Sequence, residues 1–272
     1  MNVDLFAYIA ANRDAVPDVS NDERIRLSSE FENRKIGKLN EQDGYDCKLC
    51  LNRGYFTEVN EKGNLAIYDC KCMQTRATLK RFLRSGMGDM LRDYTFAKYT
   101  IDEPWQRELR DKAVSFVNDA SAKWLYMGGQ SGCGKTMLCT AVCAEYIRRG
   151  FTAKYMLWYR DSKQLKALVN NADEYRDKLT RYADAQVLYI DDFFKTKSGY
   201  MPTEADVKLA FEIINDRLLD RDKITVISSE LTLSDLLDCD EATVSRIVDA
   251  AGDYQVAIPK DRKKNYRLKG LL

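Results

Sequence analysis

The chain contains no histidine. That absence excludes Ser-His-Asp and Cys-His nucleophile arrangements and confines any zinc site to cysteine and carboxylate ligands. Net charge is almost absent as well, with 43 lysines and arginines against 42 acids in 272 residues. No whole-molecule field draws in nucleic acid, so any such contact must come from a local patch. No apolar run approaches the roughly 18 residues of a membrane span, and the opening MNVDLFAYIAANRDAVPD lacks the basic-then-apolar order of a signal peptide. A cytoplasmic protein without membrane attachment is expected. What is present is a hydrophobic fraction of 45%, enough for a packed core, and a length suited to one ordinary domain plus a smaller one. The eight cysteines, in a chain this long with an intracellular phosphate-loop motif, are expected to be reduced thiols, some of them holding metal.

Helical stretches are expected around residues 4–12 and 21–38, separated by Pro17, followed by a cysteine segment from Cys47 to Cys72. From Met73 to Leu91, Leu79, Phe82, Leu83, Met87 and Leu91 fall near helical spacing, interrupted by Gly86 and Gly88. Beyond Pro104 strands and helices alternate, which argues for a parallel sheet with crossover helices. Strands are placed at Lys123–Met127, Ala153–Trp158, Val187–Asp191, Ile224–Ser229 and Tyr254–Ile258. The longest helix should begin at Thr203, where Thr-Glu-Ala-Asp resembles a capping box, and run to about Asp220.

Gly129-Gln130-Ser131-Gly132-Cys133-Gly134-Lys135-Thr136 matches the phosphate-loop pattern G-x-x-x-x-G-K-[ST], with a strand expected before it and a helix, opening at Met137, after it. Glycines let backbone N–H groups curl around phosphate oxygens, and the helix N-terminus adds its positive dipole end. Lys135 is expected on the β and γ phosphates of ATP, and Thr136 on Mg²⁺. The apolar strand Val187-Leu-Tyr-Ile ends in Asp191 and Asp192. Asp191 is expected to hold Mg²⁺ through its water shell and Asp192 to orient the attacking water, a place commonly filled by glutamate.

Cys47-x-x-Cys50 and Cys70-x-Cys72 supply four thiolates bounded by turn-forming residues, a pattern that fits tetrahedral structural zinc. Free thiols or an iron-sulfur cluster are the alternatives. Cys139 and Cys143, four apart on the helix after the loop, are expected in the core.

These motifs belong to a longer series: CKLCLNRGYF with CKC downstream, EPWQ, GGQSGCGKT, YMLW, LYIDDFFK, PTEADVKLAFEIINDR, ISSEL, DEATVSRI and NYRLKG. The series resembles the DnaC/DnaI-type helicase loaders, above all the phage and Gram-positive versions with a cysteine segment at the front, from about Cys47 to the end. The resemblance implies an α/β fold, an AAA+ P-loop core with a five-stranded parallel sheet and flanking helices, preceded by a small zinc-stabilised N-terminal domain. The implied division is an N-terminal helical segment over 1–44, a cysteine segment with its following helix over 45–98 that grips the helicase, and the ATPase domain over 99–272. It further implies a replicative helicase and single-stranded DNA as partners, and a homo-oligomer formed around bound ATP. Arg246 matches the arginine finger that reaches a neighbouring subunit's γ-phosphate. Ser228-Ser229-Glu230 aligns with sensor 1, and because an ionised glutamate would repel phosphate the role is expected to fall to Ser229, with Glu230 left open. No clear sensor 2 arginine follows, although Arg262, Lys263 and Lys264 lie near the end. A regulatory ATP-binding adaptor of a helicase and a transposition helper ATPase are the competing readings; the cysteine segment and NYRLKG favour the loader.

Two basic stretches are candidate nucleic-acid surfaces. Arg76, Lys80 and Arg84 recur every four residues, either as a solvated helix face or as a phosphate or helicase contact. Phe193-Phe194-Lys195-Thr196-Lys197-Ser198-Gly199-Tyr200 combines aromatics with lysines, the mixture that stacks bases and pairs phosphates, unless Phe193 and Phe194 belong to the core.

Overall fold

The computed structural model describes residues 20–84, 88–196 and 201–269, of which 81–84 as backbone only. The helix expected around residues 4–12, the basic position Lys197 and the side chain of Arg84 fall outside what is described. The chain divides into two compact units, Met1–Arg76 and Ala77–Leu272.

In the first unit, α1 (Asn21–Arg34) is started by Ser20, whose hydroxyl accepts the Glu23 N–H at 3.3 Å. It lies on β1 (Tyr55–Val59) through polar contacts: the Ser29 hydroxyl donates to Thr57 O at 2.6 Å, and Asn33 both donates to Thr57 O at 2.8 Å and accepts Thr57 N–H at 2.9 Å. Residues 20–44 and 45–76 therefore share one unit. α2 (Leu39–Asp43) ends at Gly44 in the left-handed region, and β1 pairs antiparallel with β2 (Leu65–Asp69), Tyr55 opposite Asp69. That hairpin returns the chain so that α3 (Cys72–Arg84), whose residues from Ala77 on belong to the second unit, opens at the last of the four clustered cysteines.

The second unit holds α4 (Gly88–Asp93), α5 (Pro104–Asn118), β3 (Trp124–Gly129), α6 (Lys135–Arg148), β4 (Ala153–Leu157), α7 (Trp158–Ala167), α8 (Ala172–Ala183), β5 (Val187–Asp191), α9 (Glu204–Leu218), β6 (Ile224–Ser228), α10 (Leu233–Leu237), α11 (Glu241–Ala251) and β7 (Gln255–Ile258). The strands form one five-stranded parallel sheet in the order β4-β5-β6-β3-β7. Each lies where the sequence places it, with β3 running on through Gly128 and Gly129 into the phosphate loop. Every residue of β3, β5 and β6 is buried, as expected of a sheet covered on both faces by crossover helices. The period-two alternation sorts the two layers: Leu125 and Met127 pack with Leu138 and Val142 of α6, while Trp124 and Tyr126 share the other layer with Ile213 of α9 and Val244 of α11. Cys139 and Cys143 lie in the α6 layer, fully buried, as expected.

α9 is capped as its sequence requires: Thr203 Oγ1 accepts Asp206 N–H at 3.2 Å and Asp206 accepts Thr203 N–H at 3.1 Å. Arg217, near its end, is fully buried; its guanidinium donates to Thr225 Oγ1 and to the carbonyls of Tyr182, Ala183, Ala185 and Ile224. Burial lowers its pKa to about 10, yet it stays cationic and ties the end of α8 to the starts of β5 and β6.

Candidate functional site

The loop between β3 and α6 is shaped by backbone that side chains rarely adopt. Gly129 has φ 107°, and a Cβ there would stand 2.0 Å from Ile258 O on β7; Gly132 has φ 74°, and a Cβ there would stand 1.9 Å from Asn265 Oδ1. Lys135, 8% exposed, opens α6 and folds its ammonium back over the loop, donating to Gly129 O at 2.9 Å and Gln130 O at 2.5 Å. Thr136 Oγ1 donates to Asp191 Oδ1 at 3.2 Å, joining the loop to the acidic end of β5.

Asp191 is buried and is the focus of hydroxyl groups. Tyr155 donates to Oδ2 at 3.0 Å, Tyr189 to Oδ1 at 2.8 Å, and Ser228 Oγ also bonds Oδ1. Burial first, then the Asp191 charge, holds both phenols well above their ordinary pKa, so they act as neutral donors. Among the described residues Asp191 thus takes its hydrogen bonds from hydroxyls and the Asp192 N–H, and from no cation. Such a carboxylate is suited to a metal ion's inner or outer shell.

Asp192 sits at φ 54°, which turns its carboxyl away from the strand and toward Lys195, 3.0 Å distant; the same ammonium lies 3.2 Å from Glu230. Burial raises the Asp192 pKa, Lys195 opposes the rise, and the Asp191 charge reinforces it. Glu230 is shifted the other way: burial works against ionisation, but Lys195, with help from Ser131 and Lys135, outweighs it.

A cavity of about 400 Å³ joins these groups. Ser131, Gly132, Cys133, Gly134, Lys135, Thr136 and Met137 line one wall, as the motif requires, and Asp191 with Asp192 another. Gly129 and Gln130 support the loop from its edge by holding the Lys135 ammonium. Further round, the cavity meets Met90, Tyr94, Tyr99 and Gln106, and Tyr266 and Arg267 beyond the last strand. No sequence pattern announces these, because they come from chain segments remote from the loop.

Several expected positions are corrected. Ser229 is 1% exposed and donates to Phe193 O at 2.7 Å; its neighbours Ser228 and Glu230 face the cavity instead. Phe193 and Phe194 are each 1% exposed, packed edge-on against Trp158, and offer no face to a base. Arg76 belongs to no exposed stripe: it is buried, donates to both Asp43 oxygens at 2.6 and 2.7 Å, and stacks over Tyr45. Arg246 is not among these corrections: expected at a neighbouring subunit's site rather than its own, it lies outside the cavity on α11, its guanidinium 4.9 Å from the Phe211 ring centroid and donating to Ala242 O at 2.6 Å.

In the first unit Cys47, Cys50, Cys70 and Cys72 are all buried, with their sulfurs within 4.8 Å of one another. Cys47 and Cys70 are 3.8 Å apart, and Cys50 and Cys72 3.6 Å. Tetrahedral zinc with Zn–S near 2.3 Å sets sulfurs about 3.8 Å apart, so the cluster can accept the ion. The turn that forms it uses Leu51 at φ 50° and Asn52 at φ 64°, and places the Gly54 N–H 3.3 Å from Cys50 Sγ. Although burial opposes ionisation, that N–H and the neighbouring thiols lower Cys50 to about 7. Arg76 supplies a buried positive charge beside Cys72, which suits a doubly negative Zn(Cys)₄ centre.

The sheet order, with β6 inserted between the strand that carries the loop and the strand that carries the acids, defines an AAA+ P-loop nucleotide-binding fold. A family described as IstB-like ATP binding protein matches residues 71–260, and the chain belongs to that family. It is 28% identical over 237 residues to Phage-like element PBSX protein XkdC of Bacillus subtilis (strain 168), covering 84% of this chain and 88% of that protein. It is 30% identical over 210 residues to Uncharacterized protein YqaM of the same organism, covering 73% of this chain but 66% of that protein. Among solved structures it is similar to the crystal structure of the DnaC helicase loader, with a TM-score of 0.50 and 20% identity over 63% of this chain and 98% of that one, a likeness of fold. Among the described residues no helix is long and apolar enough to cross a membrane.

Proposed function

We propose that this protein loads a replicative DNA helicase onto single-stranded DNA, hydrolysing ATP to ADP and phosphate as it does so, and assembling into a homo-oligomer when ATP is bound. The observation that carries the reading is the convergence of Lys135, Thr136, Asp191 and Asp192 on one cavity within a chain of the IstB-like ATP-binding family. The likeness of fold to a helicase loader and the phage-element relative support the biological setting.

The residues divide the work by their chemistry. Lys135 leaves the loop carbonyls for the β and γ phosphates, and the loop N–H groups receive the phosphate oxygens. Thr136 and Asp191 hold Mg²⁺, which when bound neutralises charge developing on the phosphates. Asp192 orients the attacking water, with Lys195 setting the direction of its carboxyl. Ser228 or Glu230 takes the sensing position at the end of β6. Arg246, outside its own cavity and partly exposed, serves the site of a neighbouring subunit. Cys47, Cys50, Cys70 and Cys72 hold a structural zinc ion that organises the N-terminal unit, which grips the helicase.

The reading is tested by assembling a replicative helicase on a closed single-stranded DNA circle with this chain and ATP. Loading should occur with the unaltered chain and stop with Asp192→Asn. Full loading by Asp192→Asn would instead identify a regulatory adaptor that uses ATP as an assembly ligand.

A further inference from the structure

Phe211 and Arg246 stand on two helices that share one buried layer. α9 turns Leu209, Ala210, Ile213 and Ile214 into the core and leaves Phe211 on its outer side, 37% exposed. α11 turns Val244 and Ile247 into the same layer, which puts Arg246 on its outer side as well. Both helices are anchored. α9 has its capping box and the fully buried Arg217, and α11 starts at Asp240, whose carboxylate accepts the Thr243 N–H at 3.3 Å. The two outward side chains therefore rise from fixed backbone.

The Arg246 guanidinium lies over the Phe211 ring, its carbon 4.9 Å from the centroid, and donates one N–H to Ala242 O at 2.6 Å. Among the described residues it forms no ion pair, although Asp249 follows it by one turn of α11. Its two partners are thus neutral. A carboxylate would cancel the charge and would have to be parted from it before another anion could bind. A ring face attracts the cation without neutralising it, and a carbonyl occupies only one of the five N–H donors. An unrestrained surface arginine samples many rotamers, whereas ring and carbonyl together restrict this one. Less ordering is then left to be done when a phosphate group arrives from outside the chain.

We propose that Phe211 is a positioning residue for Arg246: its ring, with the Ala242 carbonyl, holds the guanidinium in the pose that meets the terminal phosphate of a nucleotide on a neighbouring copy of this chain. The proposal rests on the reading of Arg246 as the group that completes a neighbour's site. It places the aim of that group on a helix other than its own, and a small error of aim at a reacting centre is costly.

The test is ATP turnover in co-assembled mixtures, where different subunits hold the nucleotide and supply the guanidinium. Arg246→Ala subunits are the acceptors, and Lys135→Ala subunits are the donors. Donors that also carry Phe211→Leu, which keeps apolar bulk and loses the ring face, should restore about tenfold less turnover than donors with Phe211, through kcat and with KM for ATP unchanged. Donors carrying Phe211→Tyr, which keeps the face, should restore it fully. Phe211→Leu moved into the Arg246→Ala acceptor should leave turnover unchanged, because the guanidinium then comes from a subunit with its ring intact. Equal restoration by donors with Leu and with Phe at position 211 overturns the proposal. So does an equal loss with the substitution in the acceptor, which marks a purely structural contact between α9 and α11. If co-assembled donors with Phe211 intact restore nothing, the reading of Arg246 itself fails and takes the proposal with it.

Discussion

Lys195 holds Asp192 at 3.0 Å, an ion pair formed between two residues of one turn just past the end of β5. Asp192 is the group expected to orient water, and Lys195 is what keeps its pKa from rising further under burial and the Asp191 charge. In the proposed role Asp192 acts as the ionised carboxylate, so activity should fall on the acid side as Asp192 gains a proton. Lys195→Ala removes the lowering influence, and the acid limb of the pH–rate profile should move to higher pH. An unmoved limb, with activity otherwise retained, would show that Lys195 does not govern Asp192.

Lys135 contributes its charge where the loop N–H groups contribute only dipoles. Lys135→Ala should weaken ATP binding on the order of a hundredfold, as the loss of more than one charge-assisted contact implies. Among the described residues its side chain bonds only loop carbonyls and Cys133, so the fold should survive. Titration of the variant beside a thermal melt separates lost affinity from lost structure.

Elemental analysis should find one zinc ion per chain. Cys47→Ser or a strong chelator should release it and lower the melting transition of the N-terminal unit, since metal binding on the order of 10 kcal/mol substitutes for the core that so small a unit lacks. A chain free of metal whose N-terminal unit gives sharp, dispersed amide signals would end the zinc assignment.

Arg246 lies outside the cavity of its own chain. Arg246→Ala should bind ATP nearly normally and hydrolyse it slowly, by about 10³-fold or more where such a finger acts. Mixing supplies the sharper measurement: Lys135→Ala subunits, which retain Arg246, should restore turnover to Arg246→Ala subunits. If mixtures that co-assemble never exceed the sum of their parts, Arg246 serves no neighbouring site.

The elements that the sequence reveals are those whose cause is local. β5 is a continuous apolar run closed by acids, α9 begins at its own capping box, and the phosphate loop carries its spacing on its face. What the sequence conceals depends on distant partners or on parity. Ser229 and Ser228 are adjacent, and at the end of a strand one residue decides between the interior and the cavity. Phe193 and Phe194 read either as a base-stacking pair or as core, and the left-handed turn at Asp192 and Phe194 decides for the core by swinging both rings onto Trp158. Arg76 keeps the period of an exposed helix face and is withdrawn by Asp43, a partner 33 positions away. The hydroxyl ring on Asp191 draws Tyr155 from another strand, a meeting set by the sheet order alone.

Position 132 is one of the four interchangeable places in the phosphate-loop pattern, yet the contact with Asn265 and the φ of 74° leave room only for hydrogen there. The loop and the segment after β7 therefore cannot diverge independently. A lineage that replaces Gly132 must first shorten or displace Asn265, whereas one that discards that segment still retains the backbone demand for glycine. Substitutions at position 265 should be the permissive first step, and libraries that randomise both sites should recover residues other than glycine at 132 only on backgrounds already altered at 265, and then chiefly asparagine or aspartate, which tolerate a positive φ.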